Sequence, residues 1–216
     1  MEPIYSIDGI EQKESRLDYQ HIIILLIIKP SDKNADEFIS KLNYWHHLSD
    51  KYCSIYMIGY AKHFEKEYSD IVRISGCDNS NWEYSDTCFI DVCKQLNERI
   101  RNWKYSGEPE IIILQNRFVQ NNKNKSALDF SNYHYVDVNY GLEMRYIDSV
   151  PRFMERLINA SKSEVEAKSA LVKGQMAKIS SRRIFEIVVE NTPKLPKPFK
   201  KVLKDAAFFK SYRTKK

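Results

Sequence analysis

Six glycines in 216 residues leave little of the backbone freedom that a phosphate-cradling loop requires. Neither a Walker-type glycine–lysine sequence nor G-x-G-x-x-G occurs, so nucleotide binding through those loops is not expected. Cysteine is also scarce. Cys53, Cys77, Cys88 and Cys93 form no C-x-x-C pair, which excludes a disulfide scaffold for a chain of this size. A structural zinc site needs four converging ligands with paired short spacings. Cys88 and Cys93 lie roughly 140° apart around a helix, and His46 and His47 diverge as adjacent residues. No metal and no cofactor are therefore expected. Cys53 or Cys77 could be matched with His63 or His134 as a nucleophile and base, but nothing in their spacing connects them. "EPEIIILQNR" offers Glu108 and Glu110 without the following lysine that a PD-(D/E)xK nuclease strand would carry. Long apolar runs are missing too. The longest, Ile22–Ile28, is far too short to span a bilayer, and Met1–Gln20 is polar rather than leader-like. The expectation is a soluble, cytoplasmic protein. Its Ile, Lys, Asn and Tyr usage suits an AT-rich bacterial genome.

What is present is an asymmetric charge. From Lys168 to Lys216 there are 14 basic and 3 acidic residues, a net of +11, whereas the remainder carries −6. A basic end on an acidic body implies an acidic counterpart: nucleic acid, a lipid surface, an acidic protein or the body itself.

The apolar pattern predicts the fold. Ile22–Ile28 is continuous rather than alternating, as in a central strand buried on both faces, and Pro30 ends it. In "SDKNADEFISKLNYWHHLSDKY", Phe38, Leu42 and Trp45 recur at helical spacing behind a cap at Asp32 or Asn34. "CSIYMIGYA" supplies a second strand. "DTCFIDVCKQLNERIRNW" is a helix with an apolar stripe, and "EIIILQN" is another buried strand. The polar "RFVQNNKNKSALDF" is no crossover helix, so the strand near Ser131–Asn139 should run antiparallel to Glu110–Asn116. A helix follows over Val150–Ala160, with Pro151 in its first turn. Whether Ile71–Ser75 adds a strand is left open.

The resulting order, β-α-β-α-β-β-α, resembles the thioredoxin-like fold over roughly residues 21–160. That resemblance implies a three-layer α/β/α domain around a mixed sheet. At the first strand–helix junction, where redox-active members of that family place a cysteine pair, this chain has Lys29-Pro30-Ser31-Asp32-Lys33-Asn34, so thiol–disulfide activity is not implied. "WKYSGEPEIIIL" and "LDFSNYHYVDV" also resemble stretches of uncharacterised bacterial proteins. The chain then divides into a polar segment (1–20), the α/β domain (21–160) and a basic, mostly helical C-terminal extension (161–216) with a proline hinge at 193–198.

Two candidate sites follow. In α/β sheets, ligands gather beyond the carboxyl ends of parallel strands, which points to Asp32 and Asn34 after the first strand and to Tyr60, Lys62 and His63 after the second. In the extension, "PFKKVLKDAAFF" is expected to form a short amphipathic helix. The binding residues expected are Arg182, Arg183, Lys197, Phe199, Lys200, Lys201, Lys204, Phe208, Phe209 and Lys210. The plain reading is that this helix packs on its own acidic domain; of outside partners a protein suits it best, with nucleic acid as the alternative, and about three turns would anchor poorly to a membrane. The sequence thus reads as a non-enzymatic accessory module of a bacterial multi-protein system, a defence system for example. The alternatives are a nucleic-acid-binding protein and an enzyme with a cryptic site near Asp32 and His63.

Overall fold

The computed structural model describes residues 2–4, 6–17, 21–64, 68–75, 82–116, 128–171 and 209–213. The chain is a mixed α/β fold. Its main sheet joins six strands: β1 (Glu2–Ile4), β2 (Ile22–Ile27), β3 (Cys53–Ile58), β7 (Glu110–Gln115), β8 (Asn132–Asp137) and β9 (Phe209–Arg213). Their order is β1-β3-β2-β7-β8-β9. β1 and β2 both run parallel to β3, whereas β7 is antiparallel to β2, β8 to β7 and β9 to β8. A second sheet holds β4 (Tyr60–Ala61), β5 (Val72–Arg73) and β6 (Glu83–Tyr84) in the order β4-β6-β5. Val72 and Arg73 are thus a strand, but not one of the main sheet.

The unbroken apolar run explains the position of β2. Every residue of Ile22–Ile28 is buried, with strands on both sides and helices over the sheet. Each such Ile contributes roughly 1.5–3 kcal/mol relative to an exposed one. β7 has the same character, and the polar stretch after it leads into an antiparallel β8, as its lack of a helical pattern predicts.

Among the described residues the helices are α1 (Ile7–Glu14), α2 (Ala35–Ile39), α3 (Leu42–Ser49), α4 (Asp86–Arg99), α5 (Val138–Glu143) and α6 (Val150–Leu171). α6 packs against α2, α3 and β3, and α1 packs against α4. α4 matches its apolar stripe: Cys88, Phe89, Val92 and Leu96 are buried, and the Ser85 side chain accepts from the Cys88 N–H as the N-cap.

Several features differ from the sequence reading or add to it. The polar first segment is structured. Ser6 caps α1 by accepting from the Gly9 N–H, Ile7 and Ile10 are buried, and β1 extends the sheet. The helix expected after β2 is two helices, interrupted at Ser40-Lys41, where the Lys41 N–H turns back to the Phe38 carbonyl at 3.2 Å. The break lets Phe38, Ile39, Leu42 and Trp45 all reach the core. Asn34 occupies the N-cap position of α2 at φ 67° without a side-chain cap bond, and Asp32 instead accepts from the Lys29 N–H at 2.7 Å. Finally, Phe209, read as the end of an amphipathic helix, opens strand β9. Pairing with the edge of β8 satisfies a row of backbone groups there, which outweighs a local helical pattern. The boundary drawn at residue 160 falls inside α6, which runs on to Leu171.

Candidate functional site

The turn from Ile28 to Asn34 leaves the carboxyl end of β2. The Lys29 and Asp32 backbones close it, with the Asp32 N–H donating to the Lys29 carbonyl at 3.1 Å. A left-handed conformation such as that of Asn34 is uncommon outside glycine, though asparagine tolerates it better than most. Its Nδ2 donates to Asn139 Oδ1 at 3.2 Å, and Asn139 donates in turn to Glu108. The turn after β2, the start of α5 and the loop before β7 are thereby tied together.

On the α4 side, Lys29 Nζ lies 3.0 Å from Asp86 Oδ1 and 5.2 Å from the centroid of the Phe89 ring. The Tyr84 hydroxyl donates to the same Asp86 oxygen at 2.9 Å, and the Tyr84 ring lies 4.9 Å from that of Tyr60. Tyr105 meets Phe89 edge-on at 5.2 Å. Its hydroxyl is buried, close enough to Asp32 to favour that carboxylate but short of hydrogen-bond geometry. Beneath these groups Glu110 is fully buried and accepts from the Ser106 N–H (2.8 Å), Trp103 Nε1 (3.0 Å) and the Tyr135 hydroxyl (3.2 Å).

The electrostatics follow from these contacts. Burial raises the Asp32 carboxyl, only partly offset by the Lys29 N–H and charge. Burial likewise raises Glu110 despite its donors. The Lys29 hydrogen bond does the reverse for Asp86 and holds it low. Asp32 is bound through the Lys29 backbone N–H and Asp86 through the Lys29 ammonium, so one lysine touches two carboxyls that are pushed in opposite directions.

The structure therefore links Asp32 to Tyr60 through Lys29, Asp86 and Tyr84. Asp32 and Asn34 are half-buried, Tyr60 is buried, and Lys62 and His63 are exposed beyond β4. Sequence reasoning missed Lys29, Tyr84, Asp86, Tyr105 and Asn139, and it weighed Glu108 and Glu110 only as a nuclease pattern lacking its lysine. Of these only Lys29 adjoins a residue it had singled out. Among the expected binding residues, Phe209 and Lys210 lie in β9. Arg182, Arg183, Lys197, Phe199, Lys200, Lys201, Lys204 and Phe208 lie outside the described residues.

A second polar cluster sits at the opposite end of the sheet. His21 Nε2 is 2.8 Å from Ser54 Oγ and 3.1 Å from Glu14 Oε2, and Tyr56 donates to Glu14. Serine, histidine and carboxylate suggest a relay, but both partners share one ring nitrogen, whereas a relay places base and orienting acid on different nitrogens. Burial pushes the Cys53 and Cys93 thiols up to about 12, so neither is a thiolate nucleophile at neutral pH. Among the described residues no group of three or more His, Cys, Asp or Glu side chains is placed to hold a metal, and no helix is long and apolar enough to cross a membrane. No family model matches the chain, and neither a curated protein nor a solved structure matches it.

Proposed function

We propose that the chain is a non-enzymatic accessory module, thioredoxin-like in build, that docks a macromolecular partner of a bacterial multi-protein system through its basic C-terminal region. The thioredoxin-like reading is supported by the strands β3-β2-β7-β8, in which β7 alone runs against the others. It is supported also by α1 reaching Tyr56 while Ser161 of α6 reaches the Cys53 thiol, since neighbouring strand residues of opposite parity face opposite sides of a sheet. The observation that carries the docking reading is the pairing of β9 with β8. It returns the end of the chain to the sheet, so residues 172–208, with nine basic and three acidic side chains, are tethered to the body at both ends. A basic connection joined to the body at both ends loses less freedom on binding than a free tail.

The test is co-purification from the native host of the full chain and of a Lys200→Glu, Lys201→Glu, Lys204→Glu variant. The expected result is a defined protein that accompanies the first and is lost from the second, with equal thermal midpoints. Retention of the same protein by both would refute the reading. Nuclease-sensitive absorbance in place of a protein, with an affinity falling steeply in salt, would favour a nucleic-acid partner.

The raised Asp32 carboxyl beside the left-handed Asn34 favours a second reading, a small-ligand site at the strand ends. Asp32→Asn should leave the fold intact and abolish any stabilisation that a panel of polar metabolites confers in a thermal-shift screen. Stabilisation that persists undiminished in Asp32→Asn would rule this site out.

A further inference from the structure

β9 is the last strand of the main sheet, and no described strand pairs with its outer edge. An unpaired edge presents a row of backbone donors and acceptors, a template for another strand. Lysine on an edge commonly discourages such pairing, because a chance neighbour leaves the charge unmatched. The sequence of β9, Phe209-Lys210-Ser211-Tyr212-Arg213, meets that objection in one register. Set antiparallel to a second copy of itself about Ser211, it places Phe209 opposite Arg213, Lys210 opposite Tyr212, and Ser211 opposite Ser211. Each cation then stands across from an aromatic residue, and every position of the strand is used. Other registers lack this match. Moving the axis to Lys210 sets lysine against lysine, and shifting the register by one residue toward the C-terminus sets Lys210 against Arg213. Aromatic–cation pairs across strands are favourable, whereas like charges directly opposite are destabilising.

We infer that β9 is a self-complementary edge through which two copies of the chain join into one continuous sheet. A twofold axis midway between the two Ser211 residues, perpendicular to the sheet, keeps the faces of the two copies aligned. β9 is itself anchored by five consecutive partners on β8, from Asn132↔Arg213 to Val136↔Phe209, so the edge is held in strand geometry before the second copy arrives. The second copy then has less ordering to do. Because the contact is a single strand pair, the dimer should be reversible and concentration-dependent.

Sedimentation equilibrium of the full chain tests this. The expected species is a reversible dimer of the 25.6 kDa chain. Tyr212→Lys sets lysine against Lys210 at two places in the contact and should weaken the dimer at least about tenfold. Adding Lys210→Glu to that variant converts both clashes into opposite-charge pairs and should restore it. The double variant keeps the same replacement at position 212 within the β8–β9 pairing, so restoration separates the dimer contact from damage within the chain. A monomer at every attainable concentration, a dimer indifferent to Tyr212→Lys, or a folded double variant that stays monomeric would each overturn the inference.

Discussion

Gly59→Ala should be among the most damaging single-atom additions to this chain, costing about 2–4 kcal/mol. Gly59 links β3 to β4, where the chain leaves the main sheet for the small one, and its φ is +80°. An L-residue there pays for the left-handed backbone alone roughly 1 kcal/mol. The added Cβ would also stand 2.7 Å from Phe89 Cβ and 3.1 Å from Phe89 Cα. Those atoms belong to the frame of α4 rather than to a flexible side-chain end, so the helix itself would have to shift. Gly107 is the natural control. It has φ +93° and nothing within 4 Å of the Cβ position, so Gly107→Ala should cost only the backbone part, about 1 kcal/mol. Urea denaturation of the two variants compares them directly, and equal losses would show that the close approach of α4 contributes nothing. The consequence reaches the candidate site, because α4 also carries Asp86, which holds Lys29. A displaced α4 should loosen the grip on Lys29 even in the fraction that stays folded.

The same region shows what a sequence reveals and what it hides. β2 is legible because Ile22–Ile28 carries no polar residue, and only a strand buried on both faces accommodates that. The antiparallel turn from β7 to β8 is legible because the connection lacks the apolar period of a helix. Asp32 and Asn34 are legible as strand-end residues. Their partners are not: Asp86, Tyr105, Glu108 and Asn139 come from distant segments, and only the folded sheet brings them to one place. Their one local signature is polarity, which marks any surface loop equally well. β9 is hidden for a different reason. Residues 198–209 have a helical apolar period, and the pairing that makes Phe209–Arg213 a strand belongs to β8, more than seventy residues earlier. In the first segment, polarity conceals burial. Glu14 counts as polar in composition, yet it is fully buried because a partner waits for it inside.

That partner makes His21 the second sensitive position. Glu14 is 0% exposed and His21 2% exposed, so water stabilises neither. Burial alone would raise the Glu14 carboxyl. The His21 hydrogen bond and charge, with hydrogen bonds from Tyr56 and Ser54, outweigh it and hold the group below the ordinary value of 4.5. His21→Leu removes the dominant partner and strands a buried carboxylate, which should cost about 3–5 kcal/mol. Replacing both, as Glu14→Leu with His21→Leu, should cost much less than the two single losses added, because no charge is then left unpaired. The pH dependence has a definite sign. A carboxyl whose folded pKa is lowered contributes stability that is fully present above the unfolded value near 4.5 and is lost as pH falls through the folded value. Urea midpoints taken downward from pH of about 6 should therefore decline below about 4.5 in the parent chain and decline less in Glu14→Gln. Parallel acid profiles for the two, or single and double replacements that simply add, would mean that the contact between α1 and the start of β2 is held by packing and not by this pair.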